Sequence, residues 1–333
     1  MDEGGRRMDH SNRTYAVEAD QLVKAFGKER AVDGISLKVP KGIVYGFLGP
    51  NGAGKTTMIR MLATLLKPTE GQAKVMGYDL TKEADDVRQS ISLTGQFASV
   101  DEELSGRENL IFIGRLVGFS RKEAKARADE LLAAFNLEDA AKRQVKKYSG
   151  GMRRRIDIAA SIVTSPELLF LDEPTTGLDP RSRNEVWEII RALVKNGTTV
   201  FLTTQYLEEA DQLADLIGVI DRGVLIAEGT SAELKSSIGV RSLIIEFEDE
   251  QDLHQAEAIF EGMFIQAPEV NQDQLSISVT MKDQSKAAKA IGELANQQIA
   301  VKDFSMQQPT LDDVFLQITG KPAKGEGGEA NGE

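Results

Sequence analysis

The stretch "GFLGPNGAGKTTMIRML", residues 46–62, decides the fold of this chain. Its residues 49–56 match the pattern G-x-x-x-x-G-K-[ST]. An apolar run at 43–48 precedes the match, and the residues that follow predict a helix over 55–66. Such a match arises by chance on the order of one time in a hundred in a chain of this length. Because the strand, loop and helix of a phosphate loop are all present, the sequence predicts a nucleotide-binding α/β domain.

The residue types of this loop suit a phosphate chain. Glycine allows positive φ, so that consecutive backbone N–H groups turn inward onto phosphate oxygens, and the N-terminus of the following helix attracts the anion. Lys55 can reach the β- and γ-phosphates of ATP, and the Thr56 hydroxyl can ligate Mg²⁺. The predicted nucleotide contacts of the loop are Gly49, Pro50, Asn51, Gly52, Ala53, Gly54, Lys55, Thr56 and Thr57.

A second predicted strand ends in two carboxylates. The apolar residues 168–171 lead directly into Asp172 and Glu173, and Pro174 then favours a turn. One carboxylate could merely cap that turn, but two adjacent ones beyond a buried strand are costly unless a cation or a proton transfer compensates. Beside a phosphate loop, we expect Asp172 to bind Mg²⁺, directly or through water. We expect Glu173 to be the general base on the attacking water.

The stretch "TVFLTTQYLEEAD", residues 199–211, joins a third apolar strand to an acidic helix predicted over 206–215. Ligands of open parallel sheets lie beyond the carboxyl ends of such strands. Gln205 is therefore either a helix-capping residue or a contact to the ligand. The Thr204 hydroxyl can cap the helix, which leaves the Gln205 amide able to donate to a γ-phosphate oxygen. We predict that Gln205 belongs to the catalytic site.

Residues 14–232 predict one α/β domain. Continuous apolar runs typical of parallel strands buried on both faces alternate with amphipathic helices. Residues 100–165 differ, because they are rich in Glu, Lys, Arg and Ala and have no strong strand pattern, and we expect a helical subdomain there. The predicted strands of the parallel sheet include 43–48, 168–171, 200–202 and 217–220.

The pattern changes in residues 240–320. The predicted order is strand, helix, strand, strand, helix, strand, as in the split arrangement of ferredoxin-like domains. The second of these strands is predicted over 263–270, and a last helix over 311–319. No acidic cluster, phosphate loop or metal-ligand spacing occurs in this block, so we predict regulation, packing or dimerisation. The polar segments 1–13 and 321–333 predict a disordered arm and a disordered tail.

The composition argues against several classes of function. The chain has 333 residues and a formal net charge of −12, which disfavours binding to nucleic acid and adsorption to anionic lipid through charge. It has no cysteine, and its two histidines, His10 and His254, do not suit a catalytic or zinc site. The sequence has neither an apolar run of 18 residues nor a signal-peptide pattern. We therefore expect a cytoplasmic protein without direct membrane insertion.

The stretch "YSGGMRRR", residues 148–155, is a Ser-Gly-Gly turn ahead of a basic helix. Its arginines suggest a nucleic-acid contact or, given the acidic total, a solvated helix face or an anion-binding helix end. Between a phosphate loop and an acidic strand, it resembles the signature motif of ATP-binding cassette (ABC) ATPases. The resemblance covers residues 14–232 and continues into "PTLDDVFLQITG" at 309–320. It is strongest to the ATP-binding subunits of drug exporters of the daunorubicin/doxorubicin-resistance type.

This resemblance implies a P-loop (RecA-like) cassette ATPase core and functions for further residues. Phe26 matches the aromatic residue that stacks on adenine, although it could also be a core aromatic. Gln96 matches the glutamine whose loop joins the Mg²⁺ site to the membrane subunit, although it could be an ordinary loop amide. Asp179 would signal across a dimer. The residues that would contact the γ-phosphate of ATP bound by the other monomer are Ser149, Gly150 and Gly151.

The family also implies partners and a location. Two copies would form a head-to-tail homodimer that closes two ATP molecules between phosphate loop and signature motif. Closure would drive a separate transmembrane permease at the inner face of the cell membrane and export a drug, an antibiotic or a lipid-like substrate. Gln205 departs from the family, which usually has a switch histidine there. The alternatives are a soluble cassette ATPase acting on nucleic acid or ribosomes, and a nucleotide sensor without hydrolysis.

Overall fold

The chain divides into two compact units, Met1–Thr230 and Ser231–Glu333. The arm predicted at 1–13 and the tail predicted at 321–333 lie outside the described residues. In the part of the chain that is described, no helix is both long enough and apolar enough to cross a membrane. The computed structural model describes residues 14–95, 100–239, 241–264, 267–281, 283 and 285–320.

The first unit alternates strands and helices. Its strands are β1 (Tyr15–Phe26), β2 (Glu29–Pro40), β3 (Val44–Leu48), β4 (Glu70–Val75), β5 (Tyr78–Asp79), β6 (Ile91–Thr94), β7 (Leu168–Asp172), β8 (Thr199–Thr204), β9 (Leu216–Asp221) and β10 (Val224–Gly229). Its α-helices are α1 (Lys55–Leu62), α2 (Ala84–Ser90), α3 (Gly106–Leu116), α4 (Arg121–Ala134), α5 (Gly150–Ser161), α6 (Pro180–Lys195) and α7 (Leu207–Leu213).

The main sheet of this unit has the strand order β10-β9-β3-β8-β7-β6. All neighbours in it are parallel except β10, which runs antiparallel to β9. Every residue of β3, β7 and β8 is buried, because helices and a second sheet cover both faces, as the continuous apolar runs predict. The register pairs Leu48 with Thr204 and Asp172 with Thr203. The carboxyl ends of β3, β8 and β7 therefore lie side by side.

A second, antiparallel sheet has the order β2-β1-β4-β5. The sequence does not predict it, because β1 and β2 are interrupted by bulges that break their alternation of apolar and polar residues. One apolar core joins this sheet to α1 and to one face of the main sheet, around Phe47, Phe170 and Phe201. The other face packs against α3, α4, α5 and α6 in a separate core.

The described residues 100–165 form a helical region, as predicted, with α3, α4 and α5 and no strand longer than an isolated bridge. Two capping boxes start its first helices, one from Ser105 to Glu108 and one from Ser120 to Glu123. Two other helices are shorter than the sequence predicts. Helix α1 ends at Leu62, followed two residues later by Thr64 with φ +62°, and α7 ends at Leu213.

The second unit has the ferredoxin-like arrangement that the sequence predicts. Its elements are α8 (Ser231–Ser237), β11 (Arg241–Phe247), α9 (Glu250–Met263), β12 (Glu269–Asn271), β13 (Ser276–Met281), α10 (Ser285–Asn296), β14 (Val301–Gln307) and α11 (Leu311–Thr319). The antiparallel sheet has the order β12-β13-β11-β14, and α9 and α10 cover one face of it. Strand β12 is shorter than the predicted 263–270, because Met263 still belongs to α9 and Pro268 cannot donate to a ladder.

Candidate active site

The phosphate loop connects β3 to α1. Gly54 has a φ of +107°, and a Cβ atom there would lie 2.2 Å from the carbonyl oxygen of Ala31. A Cβ atom at Gly49 would lie 2.3 Å from the carbonyl oxygen of Ile220. Both positions therefore require glycine. Helix α1 begins at Lys55, directly after the loop, so that its N-terminus continues the loop backbone, as phosphate binding requires.

The other loop residues differ in exposure. Asn51 and Gly52 are exposed, and Gly52 has a φ of +82°. Ala53 is buried, and its carbonyl oxygen accepts the backbone N–H of Gly223 at 2.9 Å. This bond ties the loop to the turn between β9 and β10. The half-buried members of the predicted loop contacts are Pro50, Gly54, Thr56 and Thr57.

Lys55 is the buried cation of the site, with 4% of its side chain exposed. Its Nζ donates to the carbonyl oxygens of Gly49 at 2.7 Å and Pro50 at 3.1 Å. The same Nζ lies 3.2 Å from Oε1 of Glu173. Burial lowers the pKa of Lys55, and the nearby carboxylates of Glu173 and Asp172 oppose that shift. The phosphate loop and the acidic strand therefore share a buried ion pair.

Asp172 ends β7 beside the first residues of α1, and 4% of it is exposed. Its Oδ1 accepts the hydroxyl of Thr203 at 2.6 Å and the hydroxyl of Thr56 at 3.2 Å. Mg²⁺ usually takes one or two protein oxygens and completes its coordination with phosphate oxygens and water. The Thr56 hydroxyl and the Asp172 carboxylate are oxygen donors at adjacent positions, so the two residues fit such an ion.

Glu173 follows β7 with a φ of +48°, a conformation uncommon for a residue other than glycine. Its backbone N–H lies 3.2 Å from the carbonyl oxygen and 3.1 Å from the hydroxyl of Thr203. The side chain is one-tenth exposed; Oε1 faces Lys55, and Oε2 accepts the hydroxyl of Thr176 at 3.4 Å. Contacts on both backbone and side chain therefore hold this carboxylate beside Lys55.

Gln205 lies directly after β8, at the same sheet edge. The carbonyl oxygen of Thr204 accepts the N–H of Gly49 at 3.1 Å, which connects this junction to the phosphate loop. The Thr204 hydroxyl accepts the N–H of Tyr206 at 2.9 Å, the capping bond that the sequence predicts. The Gln205 side chain is half-buried and has no hydrogen-bond partner among the described residues. Thr204 is thus the capping residue of this junction, and Gln205 is not.

The Ser-Gly-Gly turn begins α5. The Ser149 hydroxyl accepts the N–H of Met152 at 3.3 Å as the helix cap. A Cβ atom at Gly151 would lie 2.4 Å from Oγ of Ser182, so this glycine allows α5 to pack closely on α6. Gly150 has more room, with Leu178 at 3.7 Å from such an atom. No hydrogen bond or ion pair joins this turn to the phosphate loop within the described residues.

Asp179 is the N-cap of α6. Its carboxylate accepts the hydroxyl of Ser182 at 2.6 Å and the backbone N–H of Ser182 at 3.0 Å. Both hydrogen bonds lower the pKa of Asp179, and the bond from the Ser182 hydroxyl has the larger effect. Because Gly151 also packs on Ser182, Asp179 and the Ser-Gly-Gly turn lie at neighbouring helix starts.

Two predicted nucleotide contacts lie apart from this centre. Phe26 ends β1 and is 53% exposed, so it is not a core aromatic, and Nζ of Lys24 lies 5.3 Å from its ring centroid. An exposed ring at the end of a strand can stack on a base. Gln96, predicted to contact both Mg²⁺ and nucleotide, lies outside the described residues.

Three residues outside the predicted catalytic, nucleotide and metal contacts hold this site together. Thr203 bonds both acidic residues, Asp172 and Glu173. The Arg154 guanidinium donates to three backbone carbonyl oxygens, so for this arginine the predicted solvated helix face is wrong. Glu209, in α7, is buried and accepts hydrogen bonds from two side chains. Their partners are distant in sequence, so no local pattern indicates these contacts.

Comparison with protein families finds two matches along the chain. Residues 32–176 match the family model described as "ABC transporter". Residues 229–319 match the model described as "ATP-binding protein DrrA1-3-like, C-terminal domain". The first match contains the phosphate loop, the Ser-Gly-Gly turn and the two acidic residues Asp172 and Glu173 at the end of β7.

Comparison with individual proteins covers most of the chain. The chain is 56% identical to the daunorubicin/doxorubicin resistance ATP-binding protein DrrA of Streptomyces peucetius over 310 residues. The aligned region covers 93% of this chain and 94% of that protein. It is 37% identical to the linearmycin resistance ATP-binding protein LnrL of Bacillus subtilis strain 168 over 309 residues, 92% of this chain and 98% of that protein. Among solved structures, an ATP-binding cassette dimer in a post-hydrolysis state with ADP and phosphate is similar with a TM-score of 0.58 and 25% identity, over 64% of this chain and 98% of that chain.

Proposed function

Because this chain belongs to the family of ATP-binding subunits of ABC transporters and is an ATPase, we propose that it drives the export of a drug, an antibiotic or a lipid-like compound through a separate membrane permease. The relatives named for resistance to daunorubicin, doxorubicin and linearmycin support this class of cargo. The observation that supports ATP hydrolysis by this site is the cluster of Lys55, Asp172 and Glu173 at the carboxyl ends of adjacent strands.

In this proposal the phosphate loop binds the β- and γ-phosphates through its backbone N–H groups, and Lys55 neutralises their charge. Mg²⁺, held by Thr56, Asp172 and Gln96, would stabilise charge that develops on the phosphate oxygens. Phe26 stacks on adenine. These residues bind and orient the nucleotide, and Thr203 keeps the Asp172 carboxylate in place.

Glu173 and Gln205 act on the reaction itself. Glu173 accepts a proton from the attacking water through its carboxylate, which already lies 3.2 Å from Lys55 at the edge of the loop. Gln205 donates its amide N–H to a γ-phosphate oxygen and orients the group that is transferred. The half-buried, unbonded Gln205 side chain supports this role.

The active form is proposed to be a head-to-tail homodimer. Ser149, Gly150 and Gly151 of one copy contact the γ-phosphate of ATP bound by the other copy, and Asp179 lies at the same surface. The dimeric cassette with ADP and phosphate, which is similar to this chain, supports the arrangement. The permease holds the dimer at the inner face of the cell membrane, and the second unit of the chain regulates or stabilises the assembly.

The role of Glu173 is tested by the substitution Glu173→Gln in the purified full chain. The amide keeps the shape of the side chain but cannot take a proton, so kcat should fall on the order of a hundredfold or more. ATP binding should persist, and ATP should trap a dimer that size-exclusion chromatography detects. A matched control is Glu167→Gln, at the opposite end of β7, whose carboxylate pairs with Lys41 at 3.6 Å. A Glu173→Gln protein with full turnover contradicts the assignment.

The same variant tests the link to transport. Inverted membrane vesicles that contain the chain and its permease should accumulate a fluorescent anthracycline when ATP is added. Vesicles with Glu173→Gln should not. Equal accumulation with both proteins would contradict the proposal that hydrolysis by this chain drives export.

A further inference from the structure

The segment after Glu173 is held from two sides. Glu173 has positive φ, and residues 174–176 carry the chain away from β7 toward α6. A residue other than glycine does not keep this conformation unless its surroundings determine it. The contacts of the two following residues, Pro174 and Thr175, are therefore important for where the Glu173 carboxylate points.

Arg154 holds the first side. It lies in α5, five residues after the cap Ser149, and its Nε donates to the carbonyl oxygen of Pro174 at 2.7 Å. Its two terminal nitrogens donate to the carbonyl oxygens of Gly95 at 3.0 Å and Asp172 at 3.4 Å. One planar cation thus joins the helix of the Ser-Gly-Gly turn, the end of β6 and both residues that flank Glu173. A lysine has a single nitrogen and cannot reproduce this fork.

Glu209 holds the second side. It lies in α7, four residues after Gln205, and is 1% exposed. Its Oε1 accepts the hydroxyl of Thr175 at 2.8 Å and the indole N–H of Trp187 at 3.1 Å. Thr175 is also 1% exposed, so this hydrogen bond is shielded from bulk solvent. The helix that follows Gln205 is thereby tied to the residue two positions after the proposed base.

We propose that Arg154 and Glu209 are positioning residues that clamp Pro174 and Thr175 and so keep the Glu173 carboxylate facing Lys55. The inference rests on the proposed role of Glu173 as the base. It adds that α5, which begins at the Ser-Gly-Gly turn, and α7, which follows Gln205, are both connected to the base through this clamp. A shift of either helix would move the carboxylate, because each clamp bond ends on a residue next or nearly next to Glu173.

The first test replaces Arg154 with methionine, which keeps the length of the side chain and removes its donors. The kcat for ATP hydrolysis should fall about tenfold to a hundredfold, since misplacing a reacting group by about 1 Å has an effect of that size. The Kd for a fluorescent ATP analogue should change less than about twofold, because within the described residues the hydrogen bonds of Arg154 end on Pro174, Gly95 and Asp172 and not on the phosphate loop. Arg154→Lys should recover only part of the loss.

Arg127→Met is the matched control. Arg127 also donates to backbone carbonyl oxygens, those of Val163 at 3.2 Å and Ile162 at 2.9 Å, but these lie beyond the C-terminus of α5. The control should lower the unfolding midpoint without changing kcat. If Arg127→Met and Arg154→Met change kcat equally, the clamp is contradicted.

The second test acts on Thr175, so that the proposal does not depend on the folding of one variant. Thr175→Val removes the hydroxyl that bonds Glu209 and should lower kcat, whereas Thr175→Ser keeps the hydroxyl and should restore it. Glu209→Gln should also retain activity, since the amide oxygen can accept from both Thr175 and Trp187. Equal activity of the Val and Ser proteins would overturn the proposed function of Glu209.

A double-mutant cycle separates positioning from stability. In the Glu173→Gln background there is no base left to misplace, so Arg154→Met should reduce the residual turnover less than about twofold. The same fold loss in both backgrounds would overturn the clamp. Full turnover of Glu173→Gln alone would overturn both the base and the clamp. A slow Glu173→Gln protein with unaffected Arg154→Met and Thr175→Val proteins would overturn the clamp only.

Discussion

Gln205 differs in chemistry from the histidine that usually follows this strand in the family. An amide donates hydrogen bonds at every pH, whereas an imidazole changes its charge near neutral pH. The neighbours of Gln205 already have partners: Thr204 caps the junction and Thr203 bonds Asp172. Within the described residues Gln205 thus has an unbonded amide, as its proposed contact to the γ-phosphate requires.

We predict that Gln205→Ala lowers kcat by about a hundredfold, as expected when one preorganised donor to a developing charge is removed. Gln205→His should restore activity and add a titration near pH 6.5 that the wild type does not show. Steady-state ATPase assays between pH 5.5 and 8.5 check both statements. Gln212→Ala, an exposed position near the end of α7, is the control. Wild-type turnover in Gln205→Ala would return Gln205 to an ordinary junction residue.

At the scale of elements, α6 and α7 are joined by a buried carboxyl group. Glu209 of α7 accepts from Trp187 of α6 at 3.1 Å, and Trp187 is the only tryptophan of the chain. Burial raises the pKa of Glu209, although the nearby Thr204 hydroxyl and the hydrogen bonds from Thr175 and Trp187 oppose the shift. We therefore expect the stability of this helix pair to depend on pH, and the fluorescence of the neighbouring Trp187 can report its unfolding.

The raised pKa predicts a pH dependence of stability. Above the ordinary glutamate pKa of about 4.3, the unfolded chain loses the Glu209 proton before the folded chain does. The free energy of unfolding thus falls as pH rises from that value to the raised one. Glu209→Gln has no proton to lose, so its stability relative to the wild type should increase between pH 4.5 and 7.5. Urea unfolding followed by Trp187 fluorescence measures the difference.

Glu108→Gln in α3 is a control for which the pH dependence of stability should have the opposite sign. Hydrogen bonds from the hydroxyl and the backbone of Ser105 lower the pKa of Glu108. Its stabilising contribution is therefore present above the ordinary pKa and is lost as pH falls through the lowered one. The loss of unfolding free energy caused by Glu108→Gln should be larger at pH 7 than at pH 3.5.

The outcome for Glu209 is read from plots of unfolding free energy against pH. Parallel plots for wild type and Glu209→Gln would show that Glu209 is not held with a raised pKa.

At the scale of the molecule, the two units have separate apolar cores. The cores around Phe201 and Trp187 lie in the first unit, whereas the core around Phe247 and Phe260 lies in the second. The fluorescent side chains lie in the first unit only, because the tryptophan and all five tyrosines precede residue 231. Fluorescence therefore reports the ATPase unit alone, and circular dichroism reports both units.

We predict that the units unfold independently. Phe247→Ala removes a ring that is 1% exposed and should destabilise the second unit by about 3–5 kcal/mol. The transition seen by circular dichroism should then gain an early step, while the Trp187 fluorescence midpoint stays unchanged. Phe201→Ala, in the first unit, should instead shift the fluorescence midpoint. An equal fluorescence shift from both variants would mean that the chain unfolds as one unit.

Much of the ATPase unit could be predicted because its signals are local. The glycine spacing of the phosphate loop, the apolar run before Asp172 and Glu173, and the capping hydroxyl of Thr204 all lie within a few residues of what they specify. The ferredoxin-like order of the second unit follows from the same kind of pattern. The antiparallel sheet β2-β1-β4-β5 of the first unit could not be predicted, because bulges in β1 and β2 interrupt their alternation of apolar and polar residues.

By itself, the sequence determined the family, the parallel sheet and the residue types that meet a nucleotide, because short runs of neighbouring residues encode them. Only the tertiary structure decided that Thr203 bonds Asp172, that Arg154 spans Gly95 and Pro174, and that Glu209 bonds Thr175. Each of these contacts joins residues that are 20 to 59 positions apart. They depend on strand register and helix packing, which no local pattern of residues specifies.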